Sequence, residues 1–298
     1  MASWISGLFG GGSKPQAEAS SPTETPPPPS AAADSAATPL YRFRGGVCLR
    51  PHDEKVHKGG EDAYTASKTL LAVADGVGGW ASKGVDPGLF AKQLCRDIQS
   101  LYDKNSKETL KNILVEAVKM NRNTGSSTAC LASIDENSGL MKTTNLGDSG
   151  YVIWRVVMNK DAVELQKVFR SKEQQYRFNF PYQCGTNCDL PYKAYDTEHQ
   201  MLSHTDLVVM GTDGLLDNVY DDDMKPCLTK QIAEKDAKIW LKDPTAAAEC
   251  IGQQAYVNGK NRNYDSPFAK GAREHGKRYM GGKEDDITVI VAQVVQQY

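Results

Sequence analysis

The sequence has 298 residues, of which 40% are hydrophobic and 24% charged, with a formal net charge of −2. Such a chain is long enough to bury a substantial core in one large domain or two small ones. The small net charge gives no reason to expect a nucleic-acid partner, and the absence of an apolar run of about 18 residues predicts no transmembrane segment.

The first 39 residues differ in composition from the rest. They are rich in Pro, Ser, Ala and Gly and poor in bulky apolar residues, so we predict a disordered leader over 1–39 and a folded domain over 40–298. The stretch 3–9 carries apolar residues at helical spacing and is either a short docking patch or a frayed tail. The leader has no secretory hydrophobic core, and it lacks the arginines of a mitochondrial presequence.

Strands and two helices are predicted next along the chain. Residues 41–50 and 69–76 have the pattern of strands, and the second is apolar enough to be buried. Asp86 suits the N-cap and Pro87 the first position of a helix over 86–102. One face of that helix would carry Leu89, Phe90, Leu94, Ile98 and Leu101. A second amphipathic helix is predicted over 108–121.

Strands return in the second half of the chain. Residues 126–135, 140–147 and 150–157 predict an antiparallel meander. The remaining predicted elements are, in order, a strand over 205–214, helices over 229–241 and 245–259, and a strand over 285–295. Helices that come in pairs, without regular alternation with strands, favour α+β layers over a doubly wound parallel sheet.

The cysteines and histidines give little sign of a soft-metal site. Seven cysteines are scattered without the paired spacing of a zinc site, which predicts reduced thiols in an intracellular protein. Among the five histidines there is no pair at the helical spacing of metal ligands. A bound metal would therefore be held by oxygen.

Carboxylates stand where the most apolar strands end. Asp75 ends the strand over 69–76, Asp213 ends the strand over 205–214, and Asp285-Asp286 precedes the last strand. Taken singly, each Asp-Gly is explained by a tight turn. Taken together, several anions at the end of one sheet would repel one another unless cations lay between them.

Hard divalent cations fit this pattern, because Mg²⁺ and Mn²⁺ take carboxylate and carbonyl oxygens as ligands. The glycine after Asp75 would let its own carbonyl approach a cation. Side chains at 76, 78 and 79 would crowd that approach.

Six motifs occur in the order found in metal-dependent type 2C serine/threonine protein phosphatases, which the chain resembles over about 41–295. They are GEDAY (60–64), VADGVGGW (73–80), GSSTAC (125–130), NLGDSG (145–150), GTDGLLDN (211–218) and GGKEDDITVIV (281–291). The segments 75–87 and 266–286 resemble the branch that includes the mitochondrial type 2C phosphatases.

The resemblance implies a four-layer fold in which two antiparallel β-sheets form a sandwich flanked by helices on both sides, with 40–298 as the catalytic domain. It implies two Mg²⁺ or Mn²⁺ ions at one end of the sandwich, and a third, weaker ion at Asp148. Asp75 would bridge the two ions, and the other ligands would be the Gly76 carbonyl, Asp213 and Asp285. Metal-bound waters and the surrounding shell would involve Glu61, Asp62, Asp217 and Asp286.

The implied reaction is hydrolysis of phosphoserine or phosphothreonine in a phosphoprotein. Water shared by the two cations would lose a proton and attack phosphorus in line. Relatives often carry an arginine four residues before the Glu-Asp pair to bind the phosphate, and His57 stands there, followed by Lys58. Val77 replaces the histidine that many members place after Asp-Gly, so protonation of the leaving group would fall to water at the metals.

Two questions stay open at the level of sequence. The alternative to an enzyme is a catalytically inactive phosphatase fold that serves as a binding module. A cysteine-dependent phosphatase is excluded, because no cysteine is followed six positions later by an arginine. The family resemblance favours the mitochondrion while the leader does not, so mitochondrion or cytoplasm is undecided, and a monomer is expected as the family default.

Overall fold

The computed structural model describes residues 40–159, 162–189, 191–199, 202–235 and 238–297. The predicted leader over 1–39, with its stretch at 3–9, lies outside the described residues. None of the helices in the described part of the chain combines the length and apolar character needed to cross a bilayer.

The helices begin where short polar side chains cap them. Asp86 accepts a hydrogen bond from the Gly88 amide at 3.0 Å, as its predicted N-cap role requires, and Asp243 accepts one from Ala246 at the same distance. The α-helices are α1 (Pro87–Lys104), α2 (Leu110–Met120), α3 (Asp213–Leu216), α4 (Lys225–Gln231), α5 (Pro244–Lys260) and α6 (Pro267–Glu274).

The strands are mostly antiparallel neighbours joined by short turns. In chain order they are β1 (Leu40–Arg50), β2 (Asp62–Ala66), β3 (Leu70–Asp75), β4 (Ser126–Ser127), β5 (Ala129–Ile134), β6 (Met141–Leu146), β7 (Gly150–Asn159), β8 (Ala162–Arg170), β9 (Gln175–Arg177), β10 (Phe180–Pro181), β11 (Cys184–Gly185), β12 (Tyr195–His199), β13 (Leu207–Gly211), β14 (Ile232–Lys235), β15 (Lys238–Leu241) and β16 (Ile287–Gln297).

Within the described residues these strands build two antiparallel sheets of five strands. Sheet A has the order β1-β16-β13-β7-β8 and sheet B the order β12-β6-β5-β3-β2. The two sheets face each other across a core that includes Leu71, Val73, Ile153, Met210 and Ile290, all with at most 1% of their surface exposed.

The outer faces of both sheets are covered by helices. α1 and α2 bury Phe90, Leu94 and Leu114 against sheet B. α4 and α5 bury Leu228 and Ile251 against sheet A. The result is four layers in the order helix, sheet, sheet, helix, which confirms the predicted sandwich and its α+β class.

The predicted meander is wrong in its third strand. β5 and β6 pair as expected, but β7 leaves sheet B and pairs with β13 and β8 in sheet A. The chain turns between sheets at Gly147, whose φ of 103° is readily available only to glycine. Both faces of β7 are apolar, so it suits a central strand covered by helices on one side and by sheet B on the other.

The helix predicted over 229–241 is also wrong. α4 ends at Gln231, and the chain continues into an antiparallel pair in which Ile232 lies opposite Leu241. The Leu241 amide donates to Gln293 Oε1 of sheet A at 2.9 Å. This tertiary contact, which links residues far apart in sequence, stabilises an extended segment where local propensity favoured a helix.

Two smaller expectations are corrected. Leu89 was assigned to the inner face of α1, but it is 53% exposed, because the buried face of the helix begins with Phe90. The reduced-thiol prediction is wrong for Cys227 and Cys250, which form a disulfide between α4 and α5. The packing of those two helices brings the cysteines together although 23 positions separate them.

Candidate metal centre

At one end of the sandwich the residues between the sheets change from apolar to polar. On β3, Leu71 and Val73 face the opposite sheet, and the alternation of a strand places Asp75 on the same face. On β13 Met210 faces the opposite sheet, and the same alternation places Thr212, just after the strand, on that face too. Asp75 therefore stands where the inward-facing positions of β3 run past the apolar core, and Asp213 begins α3 directly after Thr212.

Hydroxyl groups line the floor of this polar end. Thr212 and Thr288, from sheet A, donate to Asp62 Oδ2 at 2.8 and 2.7 Å. Asp62 lies directly opposite Asp75 in the antiparallel register of sheet B. The Asp75 amide in turn donates to Thr128 Oγ1 at 3.1 Å. Hydrogen bonds from both sheets thus fix the positions of Asp62 and Asp75.

Asp75, Asp148 and Asp213 each contribute an oxygen to one group whose atoms lie within 4.8 Å of one another. Asp148 and Asp213 are only 4% and 6% exposed. Among the described residues, neither Oδ1 of Asp148 nor Oδ1 of Asp213 has a hydrogen-bond partner. A buried carboxylate oxygen without a donor is costly, so these three side chains fit a hard divalent cation.

The pKa shifts of these carboxylates also support a cation site. Burial, followed by the neighbouring Asp213, raises the pKa of Asp75 well above its usual range. Burial and Asp213 likewise raise the pKa of Asp148, and burial and Asp286 that of Asp62. These carboxylates therefore favour a proton or a cation more strongly than exposed carboxylates do.

Lys283 joins Asp213 to two further predicted site residues. Its Nζ forms ion pairs with Asp213, with Asp217 Oδ2 at 2.9 Å and with Asp285 Oδ2 at 3.3 Å. Burial raises the pKa of Asp217 to about 7 despite the opposing effect of Lys283. Burial also acts to raise the pKa of Asp285, but Lys283 and Lys55 outweigh it and lower that pKa.

The segment before Glu61 places Lys55, and not His57, beside the carboxylates. Lys55 Nζ lies 2.7 Å from Glu61 Oε2, 2.9 Å from Asp286 Oδ2 and 3.4 Å from Asp285 Oδ1. His57 is exposed, and in the described part of the chain no ion pair joins its ring to the cluster. Its predicted phosphate contact stays a prediction.

Lys58 and Asp286 occupy different positions around Glu61. Lys58 Nζ lies 2.6 Å from Glu61 Oε1, so this predicted phosphate-contacting residue does reach the cluster. Asp286 accepts hydrogen bonds from the backbone amides of His52 and Glu61, at 2.8 and 3.1 Å. Asp286 thereby holds the 52–61 segment against the start of β16.

Gly76 is required for a reason that the sequence did not reveal. A Cβ at this position would lie 2.7 Å from the Pro87 carbonyl oxygen and 2.8 Å from that of Glu61. The backbone directly after β3 therefore passes too close to its neighbours for any side chain. A Cβ at position 79 would meet no described atom within 4 Å, so the prediction that a side chain there would crowd a cation stays a prediction.

Sequence reasoning did not assign to the cluster the two lysines that enter it. Lys283 stands two positions before Asp285, inside the GGKEDDITVIV motif, and Lys55 stands six before Glu61. Their proximity to the acidic motifs is a weak signal. A single lysine beside carboxylates is usually a solvated ion pair, and only the fold shows that Lys283 points inward.

Comparison with known proteins gives the family. The family described as Stage II sporulation protein E (SpoIIE) matches residues 65–295. Probable protein phosphatase 2C 26 of Arabidopsis thaliana is 33% identical over 271 residues, which cover 84% of this chain and 83% of that protein. The chain belongs to the type 2C protein phosphatase family. The expected resemblance is confirmed.

Other relatives of this type 2C family member differ in length. Protein phosphatase PTC7 homolog fig of Drosophila yakuba is 35% identical over 267 residues, covering 82% of this chain and 78% of its own. Probable protein phosphatase 2C 55 of Arabidopsis thaliana is 36% identical over 271 residues, 88% of this chain but 54% of that protein. The chain thus spans about half the length of that relative.

Solved structures share the fold. The photosystem II phosphatase PBCP has a TM-score of 0.72 and 28% identity, over 84% of this chain and 98% of that one. The catalytic domain of the serine/threonine phosphatase PstP, described in complex with 2 manganese ions, has a TM-score of 0.55 and 20% identity, over 86% of this chain and 99% of that one. The latter likeness supports the four-layer fold alone.

Proposed function

We propose that the chain hydrolyses phosphoserine or phosphothreonine in proteins, using two divalent cations, Mg²⁺ or Mn²⁺. The observation that carries this proposal is the group of Asp75, Asp148 and Asp213, whose oxygens converge within 4.8 Å at the buried end of the sandwich. Membership of the type 2C phosphatase family supports the reaction.

The cations would be held by carboxylates from both sheets. Asp75 and the Gly76 carbonyl come from sheet B, while Asp213 and Asp285 flank strands of sheet A. Asp148 would serve a third, weaker ion. Around these ligands we assign Glu61, Asp62 and Asp217 to holding water and Asp286 to fixing the 52–61 segment.

When bound, the cations would activate water as the nucleophile and offset negative charge on the phosphoryl group. The protein's own contribution is to position the substrate. The ammonium groups of Lys55 and Lys58 lie at the edge of the cluster, within 2.7 Å of Glu61 oxygens, and would attract the phosphate dianion. They take the place of the family's arginine.

Steady-state kinetics with a defined metal content test this proposal. Purified chain should hydrolyse p-nitrophenyl phosphate in the presence of Mn²⁺, stop on addition of EDTA, and recover when Mn²⁺ is restored. It should release phosphate from phosphoserine and phosphothreonine peptides faster than from a matched phosphotyrosine peptide. A folded protein that is inactive at every Mg²⁺ and Mn²⁺ concentration would support the inactive binding module instead. The monomeric state and the intracellular location stay predictions.

A further inference from the structure

A groove of about 590 Å³ opens beside the carboxylate cluster. One wall is the 3-10 helix Gly78–Lys83 and the other is the segment 176–189. The Trp80 indole N–H donates to Ser126 Oγ at 2.6 Å, and that hydroxyl donates to Gln183 Oε1 at 2.6 Å. Because one hydroxyl ties both walls together, we call this feature the aromatic groove and treat it as a formed part of the fold.

Both walls of the aromatic groove adjoin the candidate metal centre along the chain. Its first wall starts at Val77, directly after Asp75 and Gly76, and the Val77 amide donates to the Ser126 carbonyl at 3.0 Å. Its second wall follows Gln175, whose Nε2 lies 3.5 Å from Asp148 Oδ2. Both walls therefore start at carboxylates of the cluster. A polypeptide whose phosphate enters the cluster would have its neighbouring residues beside these walls.

The aromatic groove presents exposed rings. Tyr176 and Phe180 are 51% and 43% exposed. Trp80, Tyr176 and Phe180 together line the groove from both walls. Exposed aromatic side chains gathered around one concave surface are typical of a surface that binds apolar side chains of a partner.

Positive charge accompanies these rings. Lys83 Nζ lies 4.5 Å from the centre of the Trp80 ring, and the Arg177 guanidinium lies 5.0 Å from that of Phe180. Neither cation has an acidic partner within 4.0 Å among the described residues. The acidic residue of the groove, Asp189, is neutralised by Lys193 at 2.8 Å. Lys83 lines the groove and Arg177 lies beside the groove's Phe180 ring, so positive charge without an acidic partner accompanies the groove.

We propose that the aromatic groove binds the substrate's polypeptide chain beside its phosphorylated residue, and that it selects an apolar or aromatic side chain accompanied by an acidic one. The rings bury the apolar side chain, and Lys83 with Arg177 attracts the acidic neighbour. This inference rests on the proposed phosphatase function and adds the class of sequence that the enzyme prefers.

Phosphothreonine peptides that differ only in flanking residues test the inference. One peptide carries Phe and Asp near the phosphothreonine, a second replaces them with Ala, and a third carries Phe and Lys. The measured quantity is kcat/KM for each peptide divided by kcat/KM for p-nitrophenyl phosphate, which has no chain to enter the groove. The wild-type ratio should be about tenfold higher for the Phe-Asp peptide than for the Ala peptide.

Two variants and two matched controls complete the experiment. Phe180→Ala should lower the ratio for the Phe-Asp peptide about tenfold, whereas Tyr64→Ala, an aromatic residue 40% exposed on β2, should not. Lys83→Glu should reverse the preference in favour of the Phe-Lys peptide, whereas Lys242→Glu on the surface should not. Thermal unfolding of each variant identifies any that fail to fold.

The outcomes separate the two proposals. If the wild type hydrolyses both aryl phosphate and peptides but the ratios do not depend on flanking sequence or on Phe180 and Lys83, the groove inference is overturned and the proposed function stands. If the wild type hydrolyses neither with Mn²⁺, the proposed function fails and the inference falls with it.

Discussion

The middle and the polar end of the sandwich use the same strands for opposite purposes. In the middle, inward-facing side chains such as Leu71, Met210 and Ile290 are apolar and fully buried. A few residues further along, the same faces present Asp62, Asp75 and Thr212. The middle gains stability by removing apolar surface from water, whereas the end gathers buried anions that oppose folding.

This difference indicates how the fold supports the site. Carboxylates held close together are unfavourable without a cation, so the apolar middle must supply the stability that keeps them in place. Substitutions at the polar end should therefore change activity more than stability, and substitutions in the middle should do the reverse. The predictions below test this contrast, from the largest expected effect to the smallest.

Asp75→Asn should lower kcat for p-nitrophenyl phosphate about 1000-fold, because the metals it would hold contribute several kcal/mol to the transition state. Without added metal the variant should be no less stable than the wild type, since one repelling charge is removed. Kinetics with Mn²⁺ and thermal unfolding in EDTA measure both effects. Asp222→Asn, on the surface, is the matched control. Retained turnover in Asp75→Asn would remove this residue from the site.

Ile290→Ala tests the apolar middle. The side chain is fully buried between the sheets, so its truncation should cost about 3 kcal/mol of unfolding free energy. Activity per folded molecule should stay within about twofold of the wild type. Urea unfolding followed by fluorescence gives the stability change, and Val257→Ala, exposed on α5, provides the control. A large loss of kcat at full folding would contradict the contrast.

Lys283→Met tests the competition between an ammonium group and a cation for the same oxygens. Lys283 contacts Asp213, Asp217 and Asp285, so its removal should tighten Mn²⁺ binding about tenfold and lower the unfolding temperature in EDTA. Isothermal titration calorimetry and thermal unfolding measure these changes. Lys270→Met, exposed on α6, is the control. Weaker Mn²⁺ binding would instead indicate that Lys283 supports the ligands.

His199 lies away from the carboxylates and predicts a smaller pH effect. Burial lowers its pKa to about 4, and its Nε2 lies 2.7 Å from the Tyr151 hydroxyl oxygen. Between pH 6.5 and 4 His199 takes up a proton in the unfolded chain but not in the folded one. The free energy of unfolding therefore decreases as the pH falls through this range. For a partly buried group we expect about 1 kcal/mol.

His199→Gln should reduce this pH dependence of the unfolding free energy, measured by urea unfolding at pH 7 and pH 4.5. The exposed His275→Gln should retain the wild-type slope. An identical slope in both variants would show that another group causes the acid sensitivity.

Prediction from sequence succeeded where the signal was local. The sequence correctly predicted the N-cap at Asp86, the buried strand that ends at Asp75 and the last strand of the chain, β16. These features depend on capping and on apolar runs, which act over a few residues. Prediction failed where distant partners decided the outcome. The segment after Gln231 is extended because Leu241 contacts sheet A, and β7 leaves the predicted meander to pair with β13 in sheet A.

The sequence by itself determined which carboxylates stand at the ends of apolar strands and in what order they follow. It could do so because hydrophobic patterns and turns depend on neighbouring residues. Only the tertiary structure decided which of the carboxylates meet, which lysines enter the cluster and where the aromatic groove opens. Those features depend on contacts between residues up to about 230 positions apart, such as Lys55 and Asp285, and such contacts form only when both sheets are assembled.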